Sequence, residues 1–383
     1  MGDSKCCCCC KKRRYSQDSS SPESDDNETA KERPVWQKIL IWSLAVLFII
    51  LFLVFLLIWV VVPIIFWTSI SFQRFMIFYP IDSPKDPQFD DPEKYGIDNV
   101  YNTYITVRDY YDNNTLTQIG AWLILPENLQ NSPSNDVSQI IRESQYDLLV
   151  FLHGVYANRA KPIAQYKVFR KKFLVLAIDH RGYGDSGSNV QMLEHGMIND
   201  HLQIYDWILA KNFTKNIYYW GHSLGGALSC HIVRALKERN NAVPTGLILE
   251  STFTTLVEAI ENNAVGKIYS WLAYFNATIL NPLDENGFHF YSTTHILHVD
   301  CPIMILHAED DGMIPSALGE KLANISSVER DSATQGSVTT HIFSSDYGYG
   351  HNYITSDTNI PQYIEDFKEV CESFTQQGPR SRD

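Results

Sequence analysis

The stretch Ile217-Tyr-Tyr-Trp-Gly-His-Ser-Leu-Gly-Gly-Ala227 decides the fold. Residues 217–220 are all apolar or aromatic and read as a short buried strand. Gly221-His-Ser223-Leu-Gly225 follows, and residues 224–238 read as a helix. Gly-x-Ser-x-Gly between a strand and a helix is a sharp turn that lifts one serine hydroxyl above a sheet. The glycines have a steric reason: side chains two residues either side of the serine would collide as the chain reverses. Ser223 is therefore the candidate nucleophile. A second serine, Ser186 in Gly184-Asp-Ser-Gly-Ser188, has serine in place of the second glycine and reads as a loop.

Outward from this turn, short apolar runs alternate with helical stretches. Strand signals fall at 100–107, 119–125, 148–152, 173–178, 247–249, 303–306 and 338–343, and an amphipathic stretch at 201–210. Alternation of this kind predicts an α/β fold, a mostly parallel sheet with helices on both faces. Ligands of such sheets bind beyond the carboxyl ends of the strands.

Where such a turn carries a nucleophile, an acid and then a histidine follow it in the chain. Of the 12 histidines, His341 and His351 lie late enough. His341 sits inside a strand-like run. His351 sits in the loop Asp346-Tyr-Gly-Tyr-Gly-His-Asn352, before a helix at 361–373, and a general base must reach the serine from a loop. His351 is the candidate base. For the acid, the strand at 303–306 leads into His307-Ala-Glu-Asp-Asp311-Gly-Met-Ile-Pro315. Asp311 is the first choice, with Asp310 and Glu250 as alternatives. Two N–H groups must meet the oxyanion. They are assigned to Leu224, after the nucleophile, and to Val155, after His153-Gly154. No cofactor is expected. His295, His298 and His307 lack the compact spacing of a metal site.

The chain has 383 residues and a formal net charge of −13. That balance offers nothing to a phosphate backbone, so nucleic acid is not a partner. Residues 39–73 contain no charged side chain. The length exceeds the roughly 20 residues a bilayer requires, and residues 39–67 read as an uncleaved signal anchor rather than a buried core helix. Lys5, Lys11, Lys12, Arg13, Arg14, Lys31, Arg33 and Lys38 precede it, which sets the N-terminus in the cytosol. Sequons at Asn113, Asn212, Asn276 and Asn324 all follow it, where glycosylation requires a lumenal or external domain. Residues 1–38 read as a disordered tail. Its Cys6, Cys7, Cys8, Cys9 and Cys10, beside Lys11-Lys-Arg-Arg14, are candidates for palmitoylation. Residues 68–98 read as a juxtamembrane linker, 99–376 as the catalytic domain with a cap near 252–300, and 377–383 as a tail. The cap aromatics are assigned either to an acyl channel or to core packing.

Phe151-Leu-His-Gly154, Asp179-His-Arg-Gly-Tyr-Gly-Asp-Ser186, Trp220-Gly-His-Ser-Leu-Gly225, Leu247-Ile-Leu-Glu-Ser251, Cys301-Pro-Ile-Met-Ile-Leu-His-Ala-Glu-Asp-Asp311 and Gly348-Tyr-Gly-His-Asn-Tyr353 resemble one family. It is the lysophosphatidylserine lipase/monoacylglycerol lipase branch of the α/β-hydrolase-domain proteins, and the resemblance runs from about residue 75 to 373. It implies the α/β-hydrolase fold, a triad of Ser223, Asp311 and His351, and an integral endoplasmic-reticulum enzyme with a lumenal domain. The implied substrates are lipid esters: lysophospholipids, notably lysophosphatidylserine, and monoacylglycerols. The family's His-Gly-Asn-Ala-Gly is here His153-Gly-Val-Tyr-Ala157, which alters the loop but keeps the backbone donor. A transacylase or thioesterase on the same triad, or an inactive scaffold, are the rival readings. His195-Gly-Met-Ile-Asn-Asp200 fits an acyltransferase H-x-x-x-x-D pattern.

Overall fold

A computed structural model describes residues 33–129, 136–240 and 242–377. The cysteine run Cys6–Cys10 and the tail 378–383 lie outside these residues. The chain divides into two units, Met1–Phe55 and Leu56–Asp383.

The described part of the first unit belongs to a helix, Val35–Leu56, with no buried residue. With the turns that follow, it forms one apolar helix over Val35–Thr68, 34 residues, within which an 18-residue window reaches a mean hydropathy of 3.5. At 1.5 Å per residue this helix is about 50 Å long, beyond the ~30 Å hydrocarbon core of a bilayer. By length and composition it is able to cross a membrane.

The second unit is built on eight strands: β1 (Val100–Arg108), β2 (Leu116–Ile124), β3 (Leu148–Leu152), β4 (Leu174–Ile178), β5 (Ile217–His222), β6 (Gly246–Glu250), β7 (Ile303–Ala308) and β8 (Val338–Phe343). Their order is β1-β2-β4-β3-β5-β6-β7-β8. β1 and β2 pair antiparallel, as do β2 and β4, and all other pairs are parallel. The period-2 pleat explains why the central strands are unbroken apolar runs. Leu148, Val150, Leu152, Ile217 and Tyr219 face one core, with Ile204, Ile208, Leu228 and Ile232 from the helices Glu194–Ala210 and Leu224–Asn240. Leu149, Phe151, Tyr218 and Trp220 face the other, with Tyr166, Phe169, Ile364 and Phe367 from the helices Ile163–Phe169 and Ile360–Gln377. Each such side chain contributes roughly 1.5–3 kcal/mol when fully buried. Cys230, Cys301 and Cys371 are buried free thiols within these cores.

Residues 68–98 do more than link. Ile70–Phe78 is a helix capped by the Ser69 hydroxyl, and Phe78 is fully buried against Phe288 and Phe290. Phe89 and Ile97 are buried further on, and the Phe89 carbonyl accepts from Trp122 Nε1. One short helix followed by irregular chain pinned by single side chains gives no sustained periodicity, which is why the segment reads as a linker. Residues 252–300 hold two short helices, Leu256–Asn262 and Ala264–Tyr269, then a π turn at Asn276–Leu280. This stretch is tied to the 68–98 strap by Asn286, which donates to Gln73 Oε1 at 2.9 Å, and to the apolar helix by Trp59 Nε1, which donates to the Ile268 carbonyl at 3.2 Å. Of its aromatics, Phe253, Phe275, Phe288 and Phe290 are core, whereas Trp271 and Tyr274 are exposed.

The H-x-x-x-x-D pattern does not assemble as a pair. Asp200 binds Arg181 with both oxygens at 2.6 Å, and His195 stacks on Tyr110 instead. Arg181 is fully buried and also holds Asp109 at 2.6 Å. Removing one partner of a buried ion pair strands the other charge, at a cost of about 3–5 kcal/mol. Asp200→Ala should therefore lower the Tm by roughly 5–15 °C. Thermal unfolding in detergent checks this, and an unchanged midpoint would contradict it.

Candidate active site

The strand-to-helix turn has the geometry its sequence requires. Ser223 sits at φ 55°, where an L side chain rarely goes. Its N–H donates to the Glu250 carbonyl at 2.9 Å, tying the turn to the next strand. A Cβ on Gly221 would stand 2.5 Å from Gly226 Cα, and one on Gly225 2.8 Å from the His153 carbonyl oxygen. Nothing larger than hydrogen fits at either place. The look-alike Ser186 is buried, donates to the Asp179 carbonyl and accepts from the Gly120 N–H, both at 2.9 Å, as a loop brace.

His351 and Asp311 meet across loops that are 40 residues apart, with Nδ1 to Oδ2 at 2.7 Å. Asp311 is buried on the loop after β7, and its Oδ1 accepts the Met313 and Ile314 N–H groups at 2.8 and 2.9 Å. His307 Nε2 stands 3.3 Å from Oδ2. Burial alone would raise this carboxyl, but the bonds from His307, His351 and Ile314 outweigh it and hold it well below the usual carboxylate range. Asp311 is thus ionised at any working pH.

The neighbouring carboxylates are turned to other work. Asp310 Oδ2 accepts the Gly350 N–H at 3.0 Å and so shapes the loop of His351. Glu250 Oε2 accepts Trp220 Nε1 at 2.7 Å. His341 stacks on Tyr363 at 3.9 Å.

His222, one residue before Ser223, brings the histidine loop to the turn. Its Nε2 donates to the His351 carbonyl at 2.8 Å, and the two rings are 4.9 Å apart. Burial, then His351 itself, pushes His222 down to about 3, so it stays neutral. Sequence reading passed over His222, because x in G-x-S-x-G carries no signal of its own. Among the described residues, Ser223 Oγ forms no hydrogen bond with the His351 ring; such contacts tighten when substrate enters.

Gly154 lies against the turn: a Cβ there would be 2.9 Å from Ser223 Cβ and 3.0 Å from His222 Nδ1. This brings the Val155 backbone beside Ser223. Among the described residues, neither the Val155 nor the Leu224 N–H donates a hydrogen bond to the protein. His153 braces the loop, with Nδ1 donating to the Gly154 carbonyl at 2.7 Å and Nε2 accepting the His180 N–H at 3.3 Å. Burial pushes it down to about 4.

One compact ligand set does occur, with His295 but not with His298 or His307. Glu194, His231 and His295 place ligand atoms within 4.8 Å of one another. Its atoms are largely engaged: Glu194 binds His231 Nδ1 at 2.6 Å and the Phe290 N–H at 2.7 Å, and Arg234 lies 3.4 Å from His295 Nδ1.

Two outcomes test this geometry. Gly154→Ala should leave the fold intact yet cut esterase turnover at least ~100-fold, by moving an oxyanion donor; steady-state kinetics on a soluble ester check it. Glu250 is pushed up to about 7 by burial, from an ordinary 4.5. Between pH 4.5 and 7 the unfolded chain releases this proton and the folded one keeps it. The group therefore costs stability as pH rises across that window, by roughly 3 kcal/mol in all. Glu250→Gln should flatten this part of the stability–pH curve, and an identical wild-type slope would contradict it.

Comparison with known proteins agrees with the fold. Residues 147–244 match the family model described as alpha/beta hydrolase fold. The lysophosphatidylserine lipase ABHD12 of Xenopus tropicalis is 32% identical over 327 residues, 83% of this chain and 82% of that protein. The protein of the same name from Rattus norvegicus is 32% identical over 305 residues, covering 78% and 72%. That of Danio rerio is 30% identical over 340 residues, covering 86% and 83%. With the strand–serine–helix turn and relatives of this similarity over most of its length, the chain is a serine hydrolase that belongs to the lysophosphatidylserine lipase ABHD12 family of α/β hydrolases.

Proposed function

We propose that this enzyme is a membrane-anchored lipase cleaving acyl esters of lysophospholipids, notably lysophosphatidylserine, and of monoacylglycerols. The observation that carries the reading is the 2.7 Å contact between His351 Nδ1 and Asp311 Oδ2, on loops held beside a serine at φ 55°. Ser223 Oγ attacks the ester carbonyl, and His351 Nε2 takes its proton. Asp311 keeps the imidazole oriented and stabilises its charged form. The Leu224 and Val155 N–H groups, both without a protein acceptor among the described residues, donate to the oxyanion. The tetrahedral intermediate collapses, and His351 returns the proton to the leaving glycerol oxygen. Water, deprotonated by the same ring, then splits the acyl-serine ester and releases the fatty acid.

The helix Val35–Thr68 serves as the anchor, with the basic N-terminus in the cytosol and the hydrolase domain in the lumen of the endoplasmic reticulum. The exposure of Asn113, Asn212, Asn276 and Asn324 supports glycosylation on that side. Palmitoylation of Cys6–Cys10 would add a second membrane contact on the other. The relatives named lysophosphatidylserine lipase support the substrate class.

Fluorophosphonate labelling of the full-length protein and of Ser223→Ala, followed by a panel of lipid esters, tests this. Labelling should vanish in the variant, and fatty acid should be released from lysophosphatidylserine by the wild type alone. Labelling that persists in Ser223→Ala would exclude this nucleophile. Acyl transfer to an added lipid alcohol in place of fatty-acid release would make the enzyme a transacylase.

A further inference from the structure

A cavity of about 580 Å³ opens beside the helix Ile70–Phe78. Ser71, Arg74, Phe75, Ser188, Asn189 and Gln191 are among its lining residues. Arg74 is the sole charged side chain of that lining. Every other side chain there is apolar, hydroxyl or amide.

Arg74 is poorly matched by the protein. Its Nη2 donates to the neutral Gln191 Oε1 at 2.7 Å, and its Nε is buried with no hydrogen-bond partner. Among the described residues it forms no ion pair with a carboxylate. Asp109 and Asp200 are both taken by Arg181. Burial lowers the pKa of Arg74, though far from enough to discharge a guanidinium. Such a group, partly desolvated and offering a planar fork of donors, suits an oxyanion with oxygens to spare.

The cavity also lies beside the candidate catalytic loops. Tyr79 ends the same helix, and its ring stands 5.4 Å from that of Tyr156, next to Val155. The carbonyl of Phe78 accepts from the Tyr183 hydroxyl, and the Tyr183 ring is 5.0 Å from that of His153. Gly182, adjacent to Tyr183, lines the cavity. The helix that carries Arg74 thus borders the loop assigned to the oxyanion.

We infer that Arg74 receives the phosphodiester of the lysophospholipid headgroup in this cavity, while the acyl ester lies at Ser223. The inference rests on the lysophospholipid reading above. It makes Arg74 a specificity determinant: a phosphodiester meets the guanidinium, whereas the glycerol of a monoacylglycerol brings no anion to it. Ser71 and Ser188 bring neutral hydroxyls to the same space, and Asn189 walls it while bonded to Thr117 and the Leu116 carbonyl.

The test uses full-length protein in non-ionic detergent micelles, so that bilayer charge plays no part. Lysophosphatidylserine and monoacylglycerol of the same acyl chain are compared by kcat/KM for wild type, Arg74→Gln and Arg74→Lys. Arg74→Gln should lower kcat/KM for lysophosphatidylserine about 10- to 100-fold, the worth of one charge-assisted bond. Monoacylglycerol should stay within about twofold, and Arg74→Lys should recover part of the loss. Equal losses on both substrates, or no loss on either, would overturn the inference. If the wild type cleaved neither lipid, the functional reading would fail, and the cavity would still be read directly. Glycerophosphoserine should raise the Tm of Ser223→Ala but not of Ser223→Ala/Arg74→Gln. Equal protection of both, or equal protection by inorganic phosphate, would sink the headgroup assignment.

Discussion

The backbone at Ser223 occupies the left-handed region at φ 55°, a conformation that costs a non-glycine residue of order 1 kcal/mol or more. The surroundings leave it no choice. Glycines 221 and 225 let β5 and its helix close on one another, and the Ser223 N–H is taken by the Glu250 carbonyl. Gly154 then approaches until only a hydrogen separates its Cα from Ser223. Parallel pairing of β3, β5, β6, β7 and β8 puts the carboxyl ends of all these strands at one rim. The loops that carry His153, Ser223, Asp311 and His351 therefore leave the sheet on the same side. The candidate site is a consequence of register before it is a consequence of side chains.

Electrostatics follow the same economy of place. Arg159 is wholly buried yet meets Asp179 and Asp185 as well as the amide of Asn102. Arg181 is clasped by Asp109 and Asp200. Arg330, also buried, is satisfied by the carbonyls of Val299, Cys301 and Gly336. Each of these three guanidiniums has several acceptors that offset its desolvation, although Arg159 Nε, like Arg74 Nε, is buried without a partner. Against that pattern Arg74, with one neutral partner and a cavity, stands out as a group with capacity left over.

What was legible in the chain was whatever is local. The buried strands announce themselves as apolar runs, because both pleat faces are covered, and G-x-S-x-G names its own turn. Asp311 and His351 follow from order and loop placement, although no local pattern says that they touch. Three kinds of feature escaped. The strap at 68–98 is held by individual aromatics such as Phe78 and Phe89, so it has no period to detect. The bond from His222 to the His351 carbonyl joins residues 129 apart through a main-chain atom, to which any sequence is blind. Glu194, His231 and His295 converge from two helices and the cap, and only the tertiary fold makes them neighbours.

The buried thiols of Cys230, Cys301 and Cys371 remain unpaired, and burial suppresses their ionisation. No covalent staple crosses the described fold, so its endurance rests on packing, hydrogen bonds and ion pairs. Loosening the first core would bare Cys230 of a helix and Cys301 of a loop together, and loosening the second would bare Cys371. In an oxidising medium these would couple at random, turning a reversible opening into permanent damage. The same three residues that fill space quietly in the native enzyme would then act as a latch against its recovery.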